Sequence, residues 1–217
     1  RSFMQDKKDV IVGEFQVGML PTNFYFLHLN GSNDCIAFDP GDEGDKIYNE
    51  LCNRGLTVKA IYLTHGHFDH IWGLADLRKL TDAPVLAYEG ERRLLADPEL
   101  NESADYCRSC TVVPDRWLRD GEETTYAGIT SKLLATPGHT EGSCCYYIDV
   151  SAHILISGDT LFQYSVGRTD LPTGSESAIV HSLQDKIKPL PNDTLVYPGH
   201  GPQTDLASEK LFNEYLV

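Results

Sequence analysis

Three histidines and one aspartate fall within seven consecutive positions of the chain. The segment THGHFDH at residues 64–70 contains His65, His67, Asp69 and His70, although the whole chain has only eight histidines. Imidazole and carboxylate groups are ligands that proteins offer to zinc, iron and manganese. The segment therefore predicts a metal site.

Three more residues of the same types each lie beside a glycine, just beyond an apolar segment. His139 occurs in LATPGHT, Asp159 in LISGDT and His200 in LVYPGH. The ligand crevice of α/β proteins commonly lies outside the carboxyl ends of the strands, so we expect these three strand ends and THGHFDH to meet at one site. The neighbouring glycines allow the tight turns that point the side chains inward.

These seven groups exceed the four ligands of a closed zinc site. Two divalent metal ions divide them better than one, with zinc expected first and iron or manganese as alternatives. Three histidines would hold the first ion, and Asp69, His70 and His200 the second. Asp159 would bridge the two ions, because a carboxylate has two oxygens. Each ion would keep an open position for a shared hydroxide.

Other histidines and cysteines do not share this pattern. We interpret His28, His153 and His181 as structural or surface residues, the commoner roles of a lone histidine. The six cysteines are too few and too irregularly spaced for a disulfide framework. Cys107 and Cys110 form CRSC, which could be a redox pair or half a zinc site. Without a second CxxC, we interpret them as unpaired thiols in a loop above the site.

Composition limits the classes of partner. A formal net charge of −14, from 18 basic and 32 acidic residues, argues against nucleic acid as a partner. No apolar run approaches the roughly 20 residues of a membrane helix. The first ten residues, RSFMQDKKDV, do not resemble a secretory signal. We therefore expect a cytoplasmic protein that acts on a small molecule, with its oligomeric state left open.

Short apolar segments alternate with amphipathic ones, which predicts an α/β fold with a single domain over residues 1–217. The predicted strands cover residues 10–18, 23–30, 34–40, 59–65, 84–88, 129–139, 143–150, 153–160 and 194–200. The predicted helices cover residues 44–55, 71–80, 89–97, 176–187 and 206–216, and a polar connection covers 98–121. The elements fix neither the number of sheets nor their order.

The motifs together resemble those of the metallo-β-lactamase superfamily over nearly the whole chain. They are THGHFDH, HT at 139–140, GDT at 158–160 and GH at 199–200. Members of that superfamily share an αββα sandwich with the metal site at the edge of the sheets. The segment GDTLFQYSVGRTDLPTG at 158–174 looks like the short, single-domain branch related to glyoxalase II, the hydroxyacylglutathione hydrolases.

The resemblance implies a role for each candidate residue. It gives His65, His67 and His139 to the first metal, which completes the partition reached from the residue types. Asp69, His70 and His200 go to the second metal, and Asp159 bridges them. Asp69 is also the expected catalytic residue, because it could orient the hydroxide. Arg168 in SVGRTD is the candidate for binding a substrate anion, with an ion pair to Asp170 as the alternative.

Hydrolysis of an acyl thioester is the leading functional prediction. A metal lowers the pKa of bound water to about 7 and polarises the carbonyl. A thiolate leaves readily, since thiol pKa values lie near ~8.5. Full-length glyoxalase II has a helical C-terminal extension that binds glutathione, whereas this chain ends one helix after His200, so the thiol stays unassigned.

Other functions use similar residues. A persulfide dioxygenase of the same fold, with one iron held by His65, His139 and Asp159, is the main alternative. A β-lactamase is less favoured because Asp159 replaces a cysteine. A closed structural metal site, or a metal-dependent binding module, is disfavoured because the seven candidate ligands imply open positions.

Overall fold

Two six-stranded sheets pack face to face in the computed structural model, which describes residues 9–217. The first sheet has the order β1-β2-β3-β4-β5-β6 and the second the order β14-β13-β10-β9-β8-β7. In chain order, the strands of the first sheet are Val10–Val17, Thr22–Leu29, Asp34–Phe38, Thr57–Tyr62, Val85–Tyr88 and Arg116–Leu118. The numbering continues with β7 Glu123–Tyr126, β8 Ile129–Ala135, β9 Cys144–Asp149, β10 His153–Gly158, the hairpin β11 Leu161–Phe162 and β12 Ser165–Val166, β13 Leu195–Pro198 and β14 Thr204–Asp205.

Helices cover the outer face of each sheet. They are α1 Gly44–Asn53, α2 Phe68–Ile71, α3 Leu74–Thr81, α4 Arg92–Leu95, α5 Glu176–Ser182 and α6 Leu206–Phe212. A 3₁₀ turn at Glu89–Glu91 leads into α4, another lies at Ser103–Tyr106, and a π turn at Leu183–Ile187 extends α5. This arrangement confirms the predicted α/β fold and its αββα sandwich in a single domain.

Three apolar clusters correspond to the layers. Tyr25, Tyr62 and Tyr146 belong to the central cluster, which has side chains from both sheets. A second cluster lies under α1 and α3, and a third lies under α5 and α6. Cys144 packs in the central cluster and its neighbour Cys145 in the third, because successive residues of a strand face opposite sides of a sheet.

Sequence patterning missed the shortest strands and joined two helices. The predicted polar connection at 98–121 contains β6, which pairs in parallel with β5. The predicted helix at 71–80 is divided between α2 and α3 at Gly73. A Cβ atom at Gly73 would lie 2.7 Å from the carbonyl oxygen of Asp42 and 2.9 Å from that of Pro40. The chain therefore passes too close to another backbone segment for a larger residue at this turn.

Hydrogen bonds join the two sheets where the chain leaves the carboxyl end of β4. The hydroxyl of Tyr146 on β9 donates to the carbonyl oxygen of Leu63, just beyond β4, over 2.7 Å. The amide of Cys144 donates to the carbonyl oxygen of Thr64 over 2.9 Å. The turn that begins THGHFDH is thus attached to the second sheet as well as to the first.

No helix within residues 9–217 is long and apolar enough to cross a membrane. The prediction that the N-terminus has no secretory signal rests on residues 1–10, of which residues 1–8 lie outside the described part of the chain.

Gly158 and Gly55 offer a matched test of the close approach between the sheets. Both have a positive φ, +51° and +72°, but a Cβ atom at Gly158 would lie 2.5 Å from Thr64 Oγ1, whereas Gly55 has no atom within 4 Å. We expect Gly55→Ala to lower the free energy of unfolding by about 1 kcal/mol through backbone strain alone. Gly158→Ala should lower it by about 2–4 kcal/mol, because overpacking adds to that strain.

Urea unfolding of the metal-free proteins measures the difference. Equal losses for the two variants would mean that the contact between Gly158 and Thr64 imposes no constraint on the fold.

Candidate metal centre

The seven residues selected from the sequence come together at one edge of the sandwich. His67 Nδ1 lies 3.0 Å from His139 Nε2, and His200 Nε2 lies 3.0 Å from Asp69 Oδ2. Asp159 connects the two groups, with Oδ2 lying 3.4 Å from His139 Nε2 and 3.5 Å from His200 Nε2. Three triads of possible ligands have their ligand atoms within 4.8 Å of one another, and two of them consist of residues selected from the sequence: one is His65, His67 and His139, and the other is Asp69, His70 and His200. The third triad is Asp39, His65 and His70.

Strand ends deliver these residues, as the sequence predicted. The turn with His65 and His67 follows β4, and His67 immediately precedes α2, which carries Asp69 and His70. His139 follows β8, Asp159 follows β10 directly, and His200 lies two residues beyond β13. The site has no space for a side chain at position 199, because a Cβ atom at Gly199 would lie 2.3 Å from Asp159 Oδ1 and 2.7 Å from His70 Cε1.

Asp39 orients two of the histidines, and sequence reasoning missed it. Its buried carboxylate accepts hydrogen bonds from the amide of Thr64 over 2.8 Å and from the Thr64 hydroxyl over 2.6 Å. It also lies 2.8 Å from His70 Nδ1, which donates to it. Since the Thr64 hydroxyl donates its proton to Asp39, it accepts from His65 Nδ1 at 3.1 Å. Both rings therefore present Nε2 to the site.

Asp39 gave a visible signal in the sequence, because it lies at the end of a predicted strand, as the other site residues do. It was missed because no glycine is adjacent to it and the next ligand-type residue, Asp42, lies three positions further on, outside the predicted strand.

His139 is oriented by a backbone carbonyl. Its Nδ1 lies 2.7 Å from the carbonyl oxygen of Arg168, which can only accept, so Nδ1 carries the proton and Nε2 faces the other ligands. The guanidinium of Arg168 itself is exposed and forms two hydrogen bonds with Asp170, of 2.7 and 2.8 Å. The structure thus contains the ion pair considered as an alternative. Substrate binding by Arg168 stays a prediction.

Four buried polar atoms of the site have no hydrogen-bond partner in the described residues. They are His65 Nε2, His67 Nε2, His70 Nε2 and Asp159 Oδ1. His70 Nε2 and Asp159 Oδ1 are 3.2 Å apart, yet neither makes a hydrogen bond. Leaving one such atom unpaired costs about 1–3 kcal/mol. Bound cations would satisfy all four, so the residues present fit a metal centre.

Burial keeps two of the rings in the form that binds metals. It lowers the pKa of His67 to about 3, and the nearby His139 adds to the effect. Burial also holds the pKa of His65 well below its ordinary value, with His70 as the next cause. Both rings are neutral at pH 7, as metal ligation requires.

His200 differs from these rings in its charge. Burial disfavours its charged form, but hydrogen bonds to Asp159 and Asp69 outweigh burial and raise its pKa to about 9. The carboxylates of Asp69 and Asp159 therefore stabilise positive charge at this end of the site, and a bound divalent cation would be stabilised in the same way.

Asn23 holds the loop that carries His200. Its side-chain amide donates to the carbonyl oxygens of Pro198 and Gly201, over 3.0 and 2.8 Å, and its backbone amide donates to that of Gly199 over 2.8 Å. The sequence gave no signal for this role, because Asn23 lies on β2, 175 positions before Pro198.

Two loop segments border the site. Tyr106, in the predicted polar connection, places its ring 4.2 Å from that of Phe68, which lies between the ligands His67 and Asp69. Phe162 on the β11–β12 hairpin lies 6.1 Å from the ring of His200. Cys107 and Cys110 of CRSC lie in the first segment as free thiols, as predicted. His28, His153 and His181 belong to none of the three triads.

Sequence comparison gives the family. The pattern of the Metallo-beta-lactamase superfamily matches residues 17–200. A Bacillus subtilis protein named "Probable metallo-hydrolase YqgX" is 42% identical over 202 residues, covering 92% of this chain and 94% of its own. "Hydroxyacylglutathione hydrolase GloC" of Haemophilus influenzae is 30% identical over 193 residues, covering 88% and 91%. The chain belongs to the metallo-β-lactamase superfamily, and within it is similar to metallo-hydrolases.

Solved structures agree with this assignment. The crystal structure of BLEG-1 B3 metallo-beta-lactamase has a TM-score of 0.89 at 38% identity, and the match covers 95% of this chain and 99% of that one. The crystal structure of TTHA1623 in a di-iron-bound form has a TM-score of 0.82 at 33% identity, covering 94% and 100%.

Replacing Asn23 with Asp tests the attachment of the His200 loop. The two side chains have nearly the same shape, but a carboxylate cannot donate to the carbonyl oxygens of Pro198 and Gly201. We expect Asn23→Asp to lower the free energy of unfolding by about 2–4 kcal/mol, since buried acceptors lose their donors. Asn30→Asp, at an exposed position just beyond the same strand, should change it by less than about 0.5 kcal/mol.

Denaturant titration of the metal-free proteins measures both changes. Similar values for the two variants would contradict the role assigned to Asn23.

Proposed function

We propose that this protein is a dinuclear metal-dependent hydrolase of small acyl thioesters. The observation that carries the proposal is the set of four buried ligand atoms without partners inside a cluster of seven ligand-type residues. Membership of a superfamily of metallo-hydrolases supports the reaction class. Similarity to a protein named hydroxyacylglutathione hydrolase supports the substrate class.

Each of the two triads selected from the sequence would hold one divalent ion. His65, His67 and His139 form the first site. The second consists of Asp69, His70 and His200, and Asp159 is shared because its two oxygens face both groups. Bound ions of this kind lower the pKa of a water to about 7 and polarise an acyl carbonyl.

Asp69 is the residue that would orient the attacking water. Its Oδ2 is held by the Thr22 hydroxyl at 3.0 Å and by His200 Nε2 at 3.0 Å. A carboxylate that is held by two hydrogen bonds can accept a further hydrogen bond from water in a single direction. The lone pair of that water then points at the acyl carbonyl carbon. Asp69 would thus serve in the reaction as well as in the second metal site.

A thioester suits the groups that surround the site. The leaving thiolate has a conjugate acid of pKa near ~8.5, so it departs without a proton from a separate acid. With metal ions in both sites, the seven ligand groups would be neutral imidazoles and ionised carboxylates, because metal ligation requires the deprotonated form of each. An amide, whose amine must be protonated to leave, would need a general acid that these groups do not supply at pH 7.

Metal content and turnover together test the proposal. Protein purified without added metal should contain about two ions per chain by elemental analysis. It should hydrolyse an acyl thioester such as lactoylglutathione, with thiol release followed by a chromogenic disulfide. Activity should be lost on chelation and return with zinc or iron. About one iron per chain, with oxygen consumed when glutathione persulfide is added, would instead establish the dioxygenase alternative.

A β-lactam serves as the competing substrate, because BLEG-1 is named a metallo-beta-lactamase. We expect kcat/KM for the thioester to exceed that for a chromogenic cephalosporin. The reverse order in a protein with two ions per chain would contradict the thioester assignment and leave the metal centre intact.

Asp69→Ala separates the reaction from folding. We expect kcat for the thioester to fall by about 100-fold or more, since a positioned proton acceptor is worth that much. The melting temperature of the metal-free protein should change little by comparison. Asp76→Ala, at an exposed aspartate of the following helix α3, should retain full activity. Retained turnover in Asp69→Ala would remove this residue from the mechanism.

A further inference from the structure

Glu91 is a buried carboxyl group outside the set of candidate ligands. It ends the 3₁₀ turn Glu89–Glu91 and is only 1% exposed. Burying a carboxyl group is costly unless its surroundings use it. Its Oε1 has no hydrogen-bond partner in the described residues. Neither the fold nor the proposed reaction accounts for it so far.

One oxygen of Glu91 holds the loop that carries His139. The hydroxyl of Thr140, the next residue, donates to Glu91 Oε2 over 2.5 Å. The Thr140 hydroxyl oxygen is also 2.8 Å from the hydroxyl oxygen of Ser143. The same Ser143 oxygen accepts a hydrogen bond from the backbone amide of Thr140 over 3.0 Å. The loop from 139 to 143 is therefore closed on itself and anchored to Glu91 at the residue beside a ligand.

The segment 89–95, which contains Glu91, also lies against the turn that carries His65 and His67. A Cβ atom at Gly66, between the two histidines, would lie 2.7 Å from the Cδ2 atoms of both Leu94 and Leu95 of α4.

The loop that carries His139 makes an equally close contact with the backbone of Glu91. A Cβ atom at Gly142 would lie 2.2 Å from the Glu91 amide nitrogen. The segment 89–95 thus contacts both loops with no space for a larger residue at either contact.

We propose that Glu91 is a positioning residue that sets the spacing between the His65–His67 turn and the His139 loop, and so prepares the three-histidine site for its metal ion. The inference rests on the metal sites of the proposed function. Glu91 acts through the Thr140 hydroxyl and through its backbone contact with Gly142, and it does not touch the ion itself.

The charge of Glu91 agrees with a purely geometric role. Burial raises its pKa to about 8, although the hydrogen bond from Thr140 lowers it, so the carboxyl group is mostly protonated at pH 7. A neutral group of the same shape should then replace it. Glutamine is that group, because its amide oxygen can still accept the proton of Thr140.

Metal titration against a chromophoric chelator tests the inference without measuring activity. Removing an outer partner of a metal ligand typically weakens affinity by about 10–100-fold. We expect Glu91→Ala to weaken one of the two zinc equivalents by that factor and to leave the other within about threefold. Glu91→Gln should restore the affinity. Thr140→Val, which replaces the hydroxyl with a methyl group, should weaken the same zinc equivalent by a similar factor. Combining Glu91→Ala with Thr140→Val should weaken that equivalent no further than either change alone. The exposed Glu89→Ala, in the same turn, is the control.

Cobalt spectra of the same proteins identify the affected site, and melting of the metal-free forms reports folding. Should Glu91→Ala fail to fold, Glu91→Gln and Thr140→Val decide between the outcomes. Wild-type affinity for both equivalents in Thr140→Val, or equal weakening of both in all variants, would overturn the positioning role alone. A wild-type protein that binds no metal would overturn the proposed function and this inference together.

Discussion

The carboxylate of Asp39 is the interaction on which the site depends. It accepts three hydrogen bonds at the end of β3, two from Thr64 and one from His70, and so fixes the turn that carries four of the seven candidate ligands. Such a buried carboxylate is stable only when its oxygens are used. The turn is therefore determined by hydrogen bonds that are complete without a metal. The Nε2 atoms of His65, His67 and His70 face a region where the described residues offer them no hydrogen-bond partner.

Most of the site could be predicted because its members share a sequence signal. Each ligand-type residue lies at the carboxyl end of an apolar segment, and His139, Asp159 and His200 each follow a glycine. All seven candidate ligands can therefore be selected from the sequence alone. Asn23 and Glu91 could not be found in this way, because their partners lie 175 and 49 positions away and their residue types are common at surfaces.

The fold was predictable to the extent that its elements are long and periodic. The alternation of apolar strands with amphipathic helices predicts an α/β fold, whereas the αββα layering was implied by the resemblance of the motifs to the metallo-β-lactamase superfamily. Strands β6, β7 and β14 have four residues or fewer and, unlike the equally short β5 and β13, contain charged or polar residues, so no apolar run marks them. They exist because a neighbouring strand offers them hydrogen bonds. The division of the helix at Gly73 depends on the approach of Pro40 and Asp42, which no local pattern contains.

The loops that border the site are built separately from the strand ends that form it. Tyr106 reaches it from the connection between β5 and β6, and Phe162 from the short hairpin after Asp159. Substitutions or insertions in these loops can therefore alter which molecule fits against the ligands without moving the ligands themselves. Substrate preference in this fold can drift over evolutionary time while the chemistry is inherited unchanged, so proteins with the same ligand pattern need not share a substrate.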